Sequence, residues 1–191
     1  MKVLIIDNHD SFTYNLVQLV EQSGLCETVI VKNNITAYDC SGFDKILFSP
    51  GPGIPSEEKG LMKSLIAKYS GTKSILGICL GHQAIAEFFG AKLSLINPFH
   101  GICEKINITD SQEYLFSGLP KTIKAGLYHS WSVDSENFPE CFDITAISEN
   151  GIVMAISHKT LDVKGLQFHP ESIMTEYGKD IIINWLRNRD K

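Results

Sequence analysis

The stretch Ser74-Ile75-Leu76-Gly77-Ile78-Cys79-Leu80-Gly81-His82 decides how this chain is read. Its first half is an apolar run with the length of a buried strand; its second half opens a helix that stops at Gly90. A cysteine stands on the turn between them, with Gly77 two places before it and Gly81 two places after. A cysteine that only packs in a core needs no glycine beside it. GxCxG at a strand-to-helix turn has the form of a nucleophile elbow, with a thiol in place of the hydroxyl. The glycines permit the tight turn and remove side chains that would crowd a substrate. The helix also turns its positive end towards the sulfur, which favours the thiolate, the nucleophilic form.

Upstream of the elbow, Lys2 to Asp7 is an apolar run ending at a carboxylate, and Leu16, Val17, Leu19 and Val20 then follow at helical spacing before Gly24. Thr28 to Lys32 reads as a strand, as does Lys45 to Phe48, which runs into Ser49-Pro50-Gly51-Pro52-Gly53. Ser56 is placed to cap the next helix, with Glu57 and Glu58 in its first turn and Leu61, Met62, Leu65, Ile66 and Tyr69 as its apolar stripe. The elbow helix is expected from about Gly81 to Phe89. Strands alternating with amphipathic helices predict an α/β fold, a mostly parallel central sheet with helices on both faces. From Lys92 the segments shorten and alternate: Lys92 to Ile96, Glu104 to Ile108, Thr122 to Ala125, Asp143 to Ser148, Ile152 to Ser157 and Val163 to Phe168. They predict antiparallel strands added to that sheet, followed by a last helix from about Tyr177 to Arg187.

Ligands in parallel sheets bind beyond the carboxyl ends of the strands. Three unusual stretches fall at such ends: Asp7 to Thr13, Ser49 to Gly53, and Cys79 to Gln83.

The 191 residues fit a single domain spanning 1–191, large enough to bury roughly 70% of the surface its unfolded chain exposes. The five cysteines form an odd set without a CxxC pair and read as reduced thiols. A net charge of −5, with no Lys/Arg cluster beyond Arg187-Asn188-Arg189, gives no footprint for nucleic acid. The opening MKVLIID is too short for a secretory segment or a membrane span, so no membrane association and a cytoplasmic location are expected.

A thiolate nucleophile needs a base that also returns a proton to the leaving group, and a third group that holds the base. Of the six histidines, His169 has the right company, in Gly165-Leu166-Gln167-Phe168-His169-Pro170-Glu171-Ser172. Pro170 keeps His169 out of helical backbone, and positions i and i+2 of an extended chain point the same way, so Glu171 reaches the imidazole. The N–H of Leu80 is a natural oxyanion donor, and a second must come from a neighbouring strand end. The stiff Ser49-Pro50-Gly51-Pro52-Gly53 loop suits that task. Asp7 and Asp10 read as caps of the first helix rather than as metal ligands. Cys79, His82 and His169 lack a plausible fourth ligand spacing for zinc, so no metal and no cofactor are expected.

GICLGHQ, SPGPG and the late HPES, in this order and spacing, resemble the class I glutamine amidotransferases, cysteine glutaminases that release ammonia from glutamine. The segment Asp7-Asn8-His9-Asp10-Ser11-Phe12-Thr13, together with Tyr128-His129-Ser130, is similar to the glutaminase subunits of anthranilate synthase and aminodeoxychorismate synthase. The resemblance implies a flavodoxin-like core with Cys79 as nucleophile, His169 as general base and acid, and Glu171 as the orienting carboxylate. It assigns Gly53 and Leu80 to the oxyanion hole and places Gly51 and Pro52 in the same substrate-contacting loop. Gln83 would help hold the substrate, and Ser130 with Trp131 would meet its amino-acid end, largely through backbone.

The implied substrate is L-glutamine. The implied partner is a separate chorismate-aminating synthase, component I of either anthranilate synthase or aminodeoxychorismate synthase, because 191 residues leave no room for a second active site. Two departures from the family pattern stand out: Trp131 stands where leucine is usual, and His100-Gly101-Ile102-Cys103-Glu104 stands where HGKxS is usual. A stand-alone cysteine hydrolase or peptidase is the alternative of another class.

Overall fold

The computed structural model describes residues 1–57, 60–136 and 138–188. Its main sheet has nine strands. Five run parallel and occupy one side: β1 (Lys2–Asp7), β2 (Glu27–Lys32), β3 (Lys45–Phe48), β4 (Ser74–Ile78) and β11 (Val163–Leu166), in the order β2-β1-β3-β4-β11. The sheet continues antiparallel through β10 (Val153–His158), β9 (Phe142–Ser148), β6 (Ile102–Ile108) and β7 (Thr122–Leu127).

The parallel strands are apolar on both faces because both faces are covered. In β1, Val3 and Ile5 pack with Leu16, Val17 and Val20 of α1 (Thr13–Glu21) and with Ile181, Ile182 and Trp185 of α4 (Gly178–Arg187). Leu4 and Ile6 point the other way, into Leu65 and Ile66 of α2 (Met62–Tyr69) and Ala84 and Ile85 of α3 (Leu80–Phe88). The expected α/β architecture, a mostly parallel sheet between helical layers with antiparallel strands added, is the one found.

Several local expectations need correction. Val163 to Leu166 pairs antiparallel with β10 but parallel with β4, so it belongs to the parallel core. Leu93–Leu95 (β5) does not join the main sheet; it pairs with Trp131–Val133 (β8), a strand too short to show any alternation, in a separate two-stranded ribbon. Ser56 does not cap α2. Residues Pro55–Glu57 form a separate 3-10 turn, and the side-chain oxygen of Asn33, from the loop after β2, accepts the Leu61 N–H where the helix opens. Glu58, expected in that first turn, lies outside the described residues. Among the described residues no helix is long and apolar enough to cross a membrane.

The placement of the site follows from strand order. β1 is flanked by β2 on one side and β3 on the other, so the chain reverses direction across the sheet there, and loops leaving adjacent carboxyl ends part to form a crevice. β11, arriving last in sequence, inserts next to β4, with Leu166 in register with Ile78. The residues that follow each strand are thereby neighbours: Cys79 on one side, Gln167 to Glu171 on the other.

Candidate active site

Cys79 sits between β4 and α3 at φ 50°, ψ −100°, a conformation that costs an L residue roughly 1 to 3 kcal/mol and persists only where its surroundings enforce it. The two glycines supply part of that enforcement. A Cβ on Gly77 would lie 2.3 Å from the Gly81 carbonyl carbon and oxygen, and a Cβ on Gly81 would lie 2.6 Å from Phe48 Cβ. The turn closes because neither carbon exists. Cys79 N–H donates to the Leu166 carbonyl at 2.8 Å, and its own carbonyl accepts from Gln83 N–H at 3.0 Å. Leu80 is the first residue of α3, so its N–H belongs to the turn whose amides lack intrahelical acceptors.

The other two loops are tied together above the sheet. Asn8 N–H donates to Ser49 Oγ at 2.9 Å, and Asn8 Nδ2 to the Ser49 carbonyl at 2.7 Å. Gly51 lies where the three segments meet: a Cβ there would stand 2.5 Å from Leu80 Cδ2 and 2.6 Å from Asn8 Cβ. Pro52 and Gly53 are exposed at the rim, and Gly53 takes φ 80°, which glycine adopts without strain. Asp7 and Asp10 organise the loop. The Asp7 carboxylate accepts from His9 N–H and Thr13 Oγ1, and the Asp10 carboxylate from Phe12 N–H, although the residue at the helix cap itself is Phe12.

His169 and Glu171 meet as their spacing implied. His169 Nδ1 donates to Glu171 Oε1 at 2.7 Å, with both side chains buried. Glu171 takes Nδ1, which leaves the buried Nε2 for the sulfur. Burial pushes the His169 imidazole down, but hydrogen bonding and negative charge from Cys79 and Glu171 outweigh it and raise it to about 10. The ring is walled by two aromatic side chains, Phe12 at 5.5 Å and Tyr128 at 4.9 Å between centroids. Tyr128 in turn is hydrogen-bonded to Ser172 through its hydroxyl, at 3.0 Å.

Gln83 reaches across to the ribbon, donating to the Trp131 carbonyl at 2.8 Å and to Gln167 Oε1 at 3.1 Å. Trp131 O accepts a second bond from His129 Nδ1 at 2.9 Å, and Ser130 O accepts one from Ile96 N–H at 2.9 Å. Both lone pairs of the Trp131 carbonyl are thus taken, so a backbone contact from Trp131 to a ligand falls to its N–H.

Three buried side chains near Cys79 and His169 were given no part in the chemistry by the sequence reading: Gln167, and the histidines His129 and His82. Burial pushes His82 down to about 3, with the nearby His129 adding like-charge repulsion. His129 is pushed down to about 4 by burial, against its bond to Trp131, with the charge of His169 adding to the fall. His82 fits against β11 only because residue 165 is glycine; a Cβ there would lie 2.5 Å from the imidazole Nδ1. Among the described residues no group of three or more His, Cys, Asp or Glu side chains is arranged to hold a metal ion.

A strained cysteine at an elbow, a carboxylate-held histidine on the adjoining strand end and a glycine loop over both fit acyl transfer. The family description "Glutamine amidotransferase class-I" matches residues 4–188. The chain belongs to the class I glutamine amidotransferases. The amidotransferase is 45% identical over 187 residues to the protein named "Putative anthranilate synthase component II" of Haemophilus influenzae, covering 97% of this chain and 96% of that one. It is 42% identical over 189 residues to aminodeoxychorismate synthase component 2 of Escherichia coli, covering 96% and 98%. A solved structure described as a "putative gmp synthase subunit a protein" from Thermoplasma acidophilum superposes with a TM-score of 0.87. It is 32% identical and covers 97% of this chain and 92% of that one.

Proposed function

We propose that this amidotransferase is a single domain, residues 1–191, that hydrolyses L-glutamine to glutamate and ammonia and passes the ammonia to a chorismate-aminating synthase, as the component II of anthranilate synthase. The observation that carries the reading is the His169–Glu171 pair at 2.7 Å on the strand end beside the Cys79 elbow.

In this mechanism the Cys79 thiolate attacks the side-chain carbonyl carbon of glutamine. The oxyanion forms against the N–H groups of Leu80 and Gly53. His169, held protonated by its two neighbours, gives its proton to the departing ammonia as the C–N bond breaks, and a γ-glutamyl thioester remains. The imidazole, now neutral, takes a proton from water, which attacks the thioester and releases glutamate and the thiolate. Gly51 and Pro52 wall the substrate, Gln83 holds it with its side-chain oxygen, and Ser130 and Trp131 meet its amino-acid end.

The E. coli relative supports a second reading, in which the partner is aminodeoxychorismate synthase component I. Glutamate release from glutamine, measured for the chain alone and with each component I, separates the two. Stimulation by one partner, lost in Cys79→Ala and reduced about 10³- to 10⁴-fold in Glu171→Gln, is expected. No stimulation by either partner, with Cys79→Ala matching the native rate, would overturn the proposal.

A further inference from the structure

Gln167 has no part in the mechanism above, yet its side-chain amide lies 3.6 Å from the Cys79 sulfur and is fully buried. Nitrogen and oxygen of a buried amide are distinguished by their partners. Here the partners run in a chain that starts from an unambiguous acceptor. The Trp131 carbonyl can only accept, so the Gln83 amide must present Nε2 to it. That nitrogen also faces the Gln167 amide at 3.1 Å, so Gln167 must present Oε1 to it. The Nε2 of Gln167 is then the group that faces sulfur. Turning Gln167 over would set two donors against each other at one end and an oxygen against a thiolate at the other. The register explains why this residue is there: Ile78 pairs with Leu166, so the next residues along, Cys79 and Gln167, leave adjacent strand ends together.

We propose that Gln167 is a further catalytic residue of this site, donating an N–H to the Cys79 thiolate and steadying it for attack, with Gln83 and the Trp131 carbonyl fixing which way its amide points. The inference rests on the reading of Cys79 as nucleophile. It adds a neutral donor on the reacting atom, beside the positive charge of His169. A neutral donor stabilises the thiolate without becoming an acid that would return a proton to it. Gln83 acquires a double role: it holds substrate through its oxygen and orients Gln167 through its nitrogen.

The test is the rate at which iodoacetamide alkylates Cys79 at neutral pH in the full chain, followed by peptide mass mapping. Exposed Cys103 serves as the internal reference. The ratio of the two rates is expected to fall about tenfold in Gln167→Met, the scale of one hydrogen bond to a charged group, and further in Gln167→Glu. Gln83→Met, which leaves Gln167 in place but frees its orientation, is expected to lower the ratio about threefold. A role in packing alone predicts the opposite sign, because loosening the elbow exposes the sulfur and speeds its alkylation. An unchanged or raised ratio in Gln167→Met overturns the proposal, and if that variant does not fold, an unchanged ratio in Gln83→Met does so. Alkylation needs no glutamine, so failure of the native chain to form a γ-glutamyl thioester would count against the glutaminase reading and leave this comparison decisive for Gln167.

Discussion

The Phe12 ring stands edge-on to the His169 imidazole, with centroids 5.5 Å apart and planes at 69°. Phe12 comes from the loop after β1, His169 from the segment after β11, and Tyr128 closes the box by touching both, at 4.9 Å to each. The positive edge of one ring against the face of another is a favoured arrangement, and it restricts the imidazole to a narrow range of tilt. Phe12→Ala is therefore expected to lower kcat for glutamine hydrolysis about fivefold, the scale of one aromatic pair, with KM within about twofold of native. Phe12→Leu, which keeps bulk without the ring, should recover part of the loss. Steady-state kinetics of the two variants check this; a change confined to KM would place Phe12 against the substrate instead.

Gly77 makes a different demand, on stability. A Cβ at 2.3 Å from the Gly81 backbone has no flexible neighbour that can yield, because its own position is fixed by the main chain and every nearest atom it meets is main chain. Gly77→Ala should destabilise the chain by at least the 1 to 3 kcal/mol typical of overpacking, read as a lower midpoint in urea. Gly71→Ala is the control: nothing lies within 4 Å of its built Cβ, and its midpoint should stay close to native. An unchanged midpoint for Gly77→Ala would mean that the elbow is not as tight as its geometry indicates.

The buried histidines contribute to the acid side of the stability profile. His82 and His129 are lowered to about 3 and about 4, while in the unfolded chain they titrate near 6.5. Between those values the unfolded state binds more protons, so stability rises with pH there. Their contribution is complete above about pH 6.5 and is lost as pH falls through the folded values. His169 has the opposite sign: raised to about 10, it contributes stability that is complete below about pH 6.5 and lost as pH rises through the folded value. His82→Leu should therefore show a smaller drop in Tm between pH 7 and pH 4.5 than the native chain, with the alkaline limb unchanged. An acid limb as steep as native would remove His82 from this account.

Much of the site was legible in the sequence because its chemistry is local. GxCxG declares a backbone requirement within five residues, and His169-Pro170-Glu171 declares an orientation requirement within three. The α/β architecture was legible for a similar reason: β1, β3 and β4 are apolar on consecutive positions, which only a sheet covered on both faces requires. The start of α2 was not legible, because the group that satisfies the Leu61 N–H belongs to Asn33, 28 residues earlier.

The sequence by itself determined that a strained thiol would stand at a strand end and that a histidine held by a carboxylate would follow another. Only the tertiary structure decided that the two strands are neighbours. Hydrogen bonding between β4 and β11 joins segments almost ninety residues apart, in a register that no local pattern encodes. That register sets Gln167 beside the Cys79 sulfur, and the fold around it closes Phe12 and Tyr128 over His169. Buried amides, aromatic walls and lowered histidines depend on what is packed against them, and the sequence specifies that only through the fold.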